Sequence, residues 1–323
     1  MSETSRSQCA AVLDVGSNTI KILLGELLPN GIHILFEQTV ECRISAGMYG
    51  LNRCLSSDAI TGAVEAIEHL LESAAPYLPD SIEILATSAV RDADNRQDFL
   101  DLVFQRTGRS VTVLSGEEEA LGIANGIAQE PALSVDTPLT VTDLGGGSLE
   151  WILKTGGLVN EVFSFELGAV KLMSLFVKDS SAPLDNETKA SIRSHCGALF
   201  EEKITKDKIP LEATHWGTGG AFTISRLLLA TENCVTMANQ SSELALPDLR
   251  RIEEILSKLS LSDREKYPGL PRTRADILPV ALNVILALGE VLEASSFHHS
   301  FYNLRMGRLA NLLSKSALKT KTY

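Results

Sequence analysis

Apolar positions along the chain fall into strand-like and helix-like stretches that recur in one order. Three apolar runs come first, Ala10–Val15, Thr19–Leu28 and Gly31–Val40, and Pro29-Asn30-Gly31 between the last two is hairpin chemistry. Apolar residues at 60, 63, 64, 67, 70, 71 and 74 then repeat with helical period behind Ser56-Ser57-Asp58, and Pro76 and Pro79 end that helix. The pattern next predicts a strand over Ser81–Ala86, a helix over Phe99–Gln105, a strand over Ser110–Leu114 and a helix from Ser115-Gly116 to about Ala128. After the proline-bounded segment Pro131–Pro138, the three-strand pattern returns at 139–144, 149–154 and 158–165, turning at Thr155-Gly156-Gly157. Helices are predicted over 222–229, 247–259, 275–292 and 306–318. Strands interleaved with helices specify an α/β chain.

The two three-strand patterns carry the same chemistry at their first turn. Asp14-Val-Gly-Ser-Asn-Thr19 follows the first strand, and Asp143-Leu-Gly-Gly-Gly-Ser148 follows its counterpart 129 residues on. One acid–glycine turn is an ordinary hairpin signal. Two matched copies suggest related halves facing each other across a cleft. Glycine lets an anion approach the backbone closely, so Gly16, Ser17, Asn18 and Thr19, with Gly145, Gly146, Gly147 and Ser148, are candidate phosphate cradles. Asp14 and Asp143 are candidate metal ligands. Glu150 shares a strand face with Ser148 by alternation, either as a metal or water partner or as a surface acid. Arg91 follows the 81–86 strand, where it could fork two phosphate oxygens or pair with Asp92 or Asp94. Glu117, Glu118 and Glu119 crowd the first turn of the helix after Ser115, and their repulsion is expected to raise at least one pKa. His215-Trp-Gly-Thr-Gly-Gly-Ala221 is a third glycine loop before a helix, which makes Gly219 and Gly220 a further candidate anion contact.

Composition narrows the function. The chain has 323 residues and a formal net charge of −12, which disfavours a general nucleic-acid surface. The five cysteines are widely spaced with no CxxC, so neither a zinc site nor a disulfide framework is indicated and a reducing cytoplasm is expected. Met1–Ser7 has no apolar signal core, and Ile277–Gly289 is too short and interrupted to span a membrane. The adjacent His298 and His299 point apart on any regular element, which argues against a shared metal.

Five segments, in this order, resemble the exopolyphosphatase and guanosine pentaphosphate phosphohydrolase family of the actin, sugar kinase and heat-shock ATPase superfamily. They are Asp14-Val-Gly-Ser-Asn-Thr19, Ala86-Thr-Ser-Ala-Val-Arg-Asp-Ala-Asp-Asn95, Ser115-Gly-Glu-Glu-Glu-Ala120, Asp143-Leu-Gly-Gly-Gly-Ser-Leu-Glu150 and Arg274-Ala-Asp-Ile277. The resemblance implies two ribonuclease H-like (actin-like ATPase) domains with the active site in the cleft between them. The first would span 1–130 with the helix 306–323 folded back on it, and the second 131–305. It implies hydrolysis of the terminal phosphoanhydride of inorganic polyphosphate, or alternatively of guanosine pentaphosphate or a nucleoside di- or triphosphate. A non-catalytic phosphate or alarmone sensor is the alternative of another class. By the family motifs, Glu119 is the general base, Glu118 supports it, Arg91 and Lys21 meet phosphate, and Asp143 with Asp14 or Glu150 holds Mg²⁺ or another divalent cation. The implied partner is polyphosphate or a phosphorylated guanosine nucleotide, with no nucleic acid or membrane and with a homodimer left open. Two departures stand out: Ala221 where the family has threonine, and Phe301-Tyr-Asn303 where it has small residues.

Overall fold

A computed structural model of the chain describes residues 8–48 and 53–320. Met1–Ser7, residues 49–52 and the last three residues of the expected C-terminal helix lie outside the described residues. The chain divides into two compact units, residues 1–129 with 302–323 and residues 130–301.

The first unit is built on strands β1 (Cys9–Val15), β2 (Thr19–Leu28), β3 (Gly31–Glu41), β4 (Ser81–Ala86) and β5 (Val111–Val113), in the order β3-β2-β1-β4-β5. The β1–β2–β3 meander is antiparallel, and β4 and β5 add in parallel. Its helices are α1 (Ser57–Ala74), α2 (Ser88–Arg91), α3 (Arg96–Thr107) and α4 (Gly116–Ile127). Helix α1 buries Ile60, Ala63, Val64, Ile67, Leu70 and Ala74, the face its periodicity predicts, and Ser56 caps it by accepting from the Ala59 N–H. These side chains join Leu13, Ile20, Ile22, Phe99 and Val103 in one core. Strand alternation sends Ala10, Val12 and Asp14 to the other face. There the final helix, written α11 (Leu304–Thr320), packs on β1, β2 and α4. Arg308 pairs with Glu83 and Arg305 with Glu37 at 2.8 Å, fixing the helix to the sheet.

The second unit repeats the plan with β6 (Leu139–Leu144), β7 (Leu149–Thr155), β8 (Leu158–Phe165) and β9 (Thr214–Thr218), then the short β10 (Glu243–Ala245) and β11 (Ser296–His299). Their order is β10-β11-β9-β6-β7-β8. Even the irregularity is duplicated. The register of β2 on β3 shifts at Leu24/Gly25, and that of β7 on β8 at Leu153/Lys154, the matching position. Helices α5 (Ala169–Phe176), α6 (Asn186–Lys203), α7 (Gly220–Glu232), α8 (Leu246–Ser257), α9 (Leu261–Arg264) and α10 (Leu278–Val291) surround the sheet. The apolar α10 is nearly all buried and packs on α6 and α8. It begins at Leu278 and not at 275, because Arg272–Arg274 form a separate 3₁₀ turn, Asp276 Oδ1 accepts from the Ile277 N–H, and Pro279 sits in the first turn. Both sheets have the ribonuclease H-like arrangement that the sequence implied.

Candidate active site

In the first unit, Asp14 ends β1 beside Lys21, its cross-strand partner on β2. The loop 16–19 closes on a hydrogen bond from the Gly16 N–H to the Thr19 carbonyl at 3.1 Å. The Ser17 and Asn18 carbonyls are drawn backward: Ser17 O accepts from Ser45 N, and Asn18 O accepts from Cys42 N and Arg43 N. With its carbonyls held from behind, the turn presents its N–H side outward, as an anion cup requires. Asp14 Oδ1 is buried and has no hydrogen-bond partner among the described residues. Burial pushes its carboxyl above the ordinary value, opposed by the charges of Lys21 and Arg305. Arg305, which donates to Glu37 from α11, acts on this carboxylate through its charge, and the sequence alone did not mark it as a site residue.

Arg91 lies in α2, directly after β4. One guanidinium nitrogen, Nη1, donates to Glu119 Oε2 and to the Leu114 carbonyl, both at 3.0 Å, and Nε lies 3.6 Å from Asp92. Glu119 is buried in the first turn of α4, whereas Glu117 and Glu118 are exposed. Glu118 forms a capping box, accepting from the Ser115 N–H at 2.8 Å while Ser115 Oγ accepts from the Glu118 N–H. The rise expected for at least one of the three glutamates does not fall on Glu118. The hydrogen bond from the Ser115 backbone favours its charged form and holds its carboxyl below the ordinary range. The cap ties this side chain to the helix start and leaves Glu119 as the enclosed acid of the three.

The second unit repeats the closing hydrogen bond of the first hairpin. Gly145 N donates to Ser148 O at 3.0 Å, the equivalent of the Gly16 bond. The loop carbonyls are again held from behind, this time by the start of α5: Ala169 N donates to Gly145 O, and Val170 N and Lys171 N donate to Gly146 O. Among the described residues the N–H groups of Gly146, Gly147 and Ser148 have no acceptor. This packing needs Gly168, where a Cβ would fall 2.3 Å from the Gly146 and Gly147 backbone. Lys171 points away to Glu166 at 2.8 Å.

Sheet pairing sets four polar side chains in one row across four strands: Ser164, Glu150, Asp143 and Thr218. Ser164 Oγ donates to Glu150 Oε1 at 2.8 Å, and Glu150 is buried, so it is not a surface acid. Thr218 Oγ1 is buried without a partner among the described residues. Gly219, at φ +92°, presses against Asp143: an added Cβ would lie 2.6 Å from Asp143 Oδ1. The third glycine loop thus abuts the second at its acid. Ala221 is buried, and the Thr223 hydroxyl donates to Gly219 O at 2.9 Å.

A family model described as the Ppx/GppA phosphatase family matches residues 25–316. The chain belongs to that family. The Ppx/GppA match begins at Gly25, after the first glycine turn, so the reading of residues 14–19 stands on their geometry. Solved structures share the fold. A Ppx/GppA family member from Aquifex aeolicus is 20% identical, with 96% of this chain and 99% of that one covered at a TM-score of 0.79. An exopolyphosphatase from Cytophaga hutchinsonii is 22% identical, with 95% and 98% covered at a TM-score of 0.85. Family membership makes the chain a hydrolase acting on phosphoric anhydrides with an actin-like ATPase fold.

Ppx/GppA enzymes typically use divalent cations. Asp143 and Glu150 lie side by side, with the unsatisfied Thr218 hydroxyl in the same row. An all-oxygen set of few ligands suits a hard cation that keeps part of its water shell. No cluster of three or more His, Cys, Asp or Glu ligands occurs among the described residues, so an all-protein cage is not built here. His298 and His299 sit on opposite faces of β11, as expected. No helix among the described residues is long and apolar enough to cross a membrane.

Proposed function

We propose that the chain removes terminal phosphate from inorganic polyphosphate by attack of water on the last phosphoanhydride, and that guanosine pentaphosphate, which offers the same kind of tail, is its second substrate. The observation that carries this reading is the duplicated hairpin: two acid-ended strands, each followed by a turn whose carbonyls are tied back and whose N–H side is presented. In the first unit, Ser17, Asn18 and Thr19 hold phosphate oxygens and Lys21 neutralises charge. Glu119 orients and deprotonates the water. Arg91 fixes Glu119 in the unliganded protein and meets phosphate when substrate arrives. In the second unit, Gly146, Gly147 and Ser148 donate backbone N–H groups, and Gly219 and Gly220 lie beside them. Asp143, with Glu150 or Asp14, holds a hard divalent cation such as Mg²⁺, which when bound supplies charge neutralisation at the anhydride oxygens. Positioning and electrostatics carry most of such a reaction.

Replacing Glu119 by glutamine keeps its shape and removes its basicity. We expect phosphate release from polyphosphate to fall by about 10²–10⁴-fold, with an unchanged melting profile. Turnover at the wild-type rate removes Glu119 from the role of base. Chelating divalent cations should stop release from the wild-type protein, and adding Mg²⁺ should restore it. Substrate binding with no release at any Mg²⁺ concentration would favour a phosphate sensor.

A further inference from the structure

The carboxyl ends of β6, β9 and β11 lie next to one another in the second sheet, and in open α/β sheets ligands bind at such ends. Asp143 ends the first of these strands and the Gly219 turn follows the second. Beyond the third, after Ser300, stands Phe301, a large apolar residue that is 55% exposed. It is not a loose surface ring. The His299 ring meets it edge-on at 4.6 Å between centroids, and the Arg226 guanidinium carbon lies over it at 5.9 Å.

The groups behind the ring are fixed. Arg226 donates from Nε at 3.1 Å and from Nη2 at 2.5 Å to the Gln240 carbonyl. His299 is buried and joins Thr223 Oγ1 through Nε2 at 3.0 Å, and Thr223 in turn donates to Gly219 O. Burial and the neighbouring guanidinium push the His299 pKa down to about 4, so the imidazole is neutral at physiological pH and does not repel Arg226. A neutral ring that donates from Nε2 accepts at Nδ1, and Arg226 Nη1 lies 3.5 Å from that atom. One hydrogen-bonded chain thus runs from the glycine turn to the aromatic surface.

We propose that Phe301, backed by Arg226 and His299, is a stacking surface for the base of a nucleoside 5′-polyphosphate whose phosphates lie at the Gly219 and Gly145–Ser148 turns. Two strand spacings, roughly 10 Å, separate the end of β6 from the end of β11. That is a span a ribose and its first phosphates bridge. An inorganic phosphate chain has no use for an aromatic face, whereas a base stacks on one whatever its sequence identity. The assignment deepens the phosphohydrolase reading by naming a nucleotide as substrate class, and it rests on that reading for the position of the phosphates.

Calorimetric titration of the full chain with GDP and, separately, with pyrophosphate in the presence of Mg²⁺ isolates the base. Phe301→Ala should weaken GDP binding about tenfold or more, with less than about a twofold effect on pyrophosphate. Phe301→Trp, which keeps a stacking face, should restore GDP binding. Wild-type protein that binds GDP no better than pyrophosphate, or an alanine variant that weakens both ligands alike, overturns the stacking surface. Failure of phosphate release from every substrate would overturn the phosphohydrolase reading, and the binding comparison would still decide this one.

Discussion

Asp14 and Asp143 occupy the same place in two copies of one hairpin, yet they meet opposite neighbours. Asp14 has Lys21 across the strand pair and Arg305 nearby, whereas Asp143 has Glu150 at the position equivalent to Lys21. The first copy sets a lysine across from its acid and the second sets another acid there, and it is at the second that the cation is proposed. Burial disfavours the ionised form of Asp14, and that has a pH signature. Its carboxyl pKa is raised from 3.8 in the folded protein, so the folded state binds the proton more readily than the unfolded chain does. Stability is then lost as pH rises through and above 3.8, the reverse of the usual paired carboxylate. Asp14→Asn should therefore unfold at higher urea than wild type near neutrality, and the gap should close below pH 3.8. The same variant should lose activity by at least roughly 10²-fold. Such opposed effects mark a residue kept for function at a cost in stability. Parallel urea curves at every pH would count against the account. At this scale the sequence showed Asp14 and Asp143 as a matched pair because the strand-and-turn pattern around each is local. Arg305 was not legible as a group acting on Asp14, since nothing short-range relates residue 305 to residue 14.

The element that makes each turn work is the segment behind it. In the second unit the start of α5 supplies three N–H groups to the loop carbonyls, and Gly168 allows the contact. Gly168→Ala would force a methyl into backbone at 2.3 Å, which only a shift of the loop can relieve. We expect a stability loss of about 3 kcal/mol and a rise in KM for polyphosphate that exceeds the fall in kcat, because the cup and not the base is displaced. Unchanged KM in a folded variant would dissociate the loop from substrate. In the first unit, Ser115→Ala removes the cap of α4 and should cost about 1 kcal/mol, read as a lowered melting temperature. The three-strand meanders and α1 were legible because each has an uninterrupted period and turn residues at its ends. The short strands β10 and β11 were not. They are three and four residues long and exist by pairing with each other and with β9, chain segments far away in sequence. At Glu118 the local hydrogen bonding of a helix start favours the charged form, a cause that charge repulsion alone does not foretell.

For the molecule as a whole, a formal charge of −12 would repel a polyanion, so binding must come from backbone N–H groups, a few basic side chains and a cation. That requirement fits a fold in which each unit has a glycine turn after its first strand. The units differ in how the chain makes them. Residues 130–301 are continuous, whereas the first unit needs both 1–129 and 302–323. Its far segment, α11, buries Leu304, Leu309 and Leu313 on β1, β2 and α4. Three buried leucines represent roughly 5 kcal/mol or more, comparable with the whole stability of a domain, about 5–15 kcal/mol. A chain ending at residue 301 should therefore lose the first unit. Its calorimetric trace should keep one cooperative transition, from residues 130–301, and lose the other. The apolar face of β1 and β2 would then bind a hydrophobic dye strongly. Removing only the last three residues should change neither signal. Two intact transitions in the chain ending at 301 would mean that the first sheet holds without α11, and Arg305 would then have to be tested beside Asp14 by substitution instead.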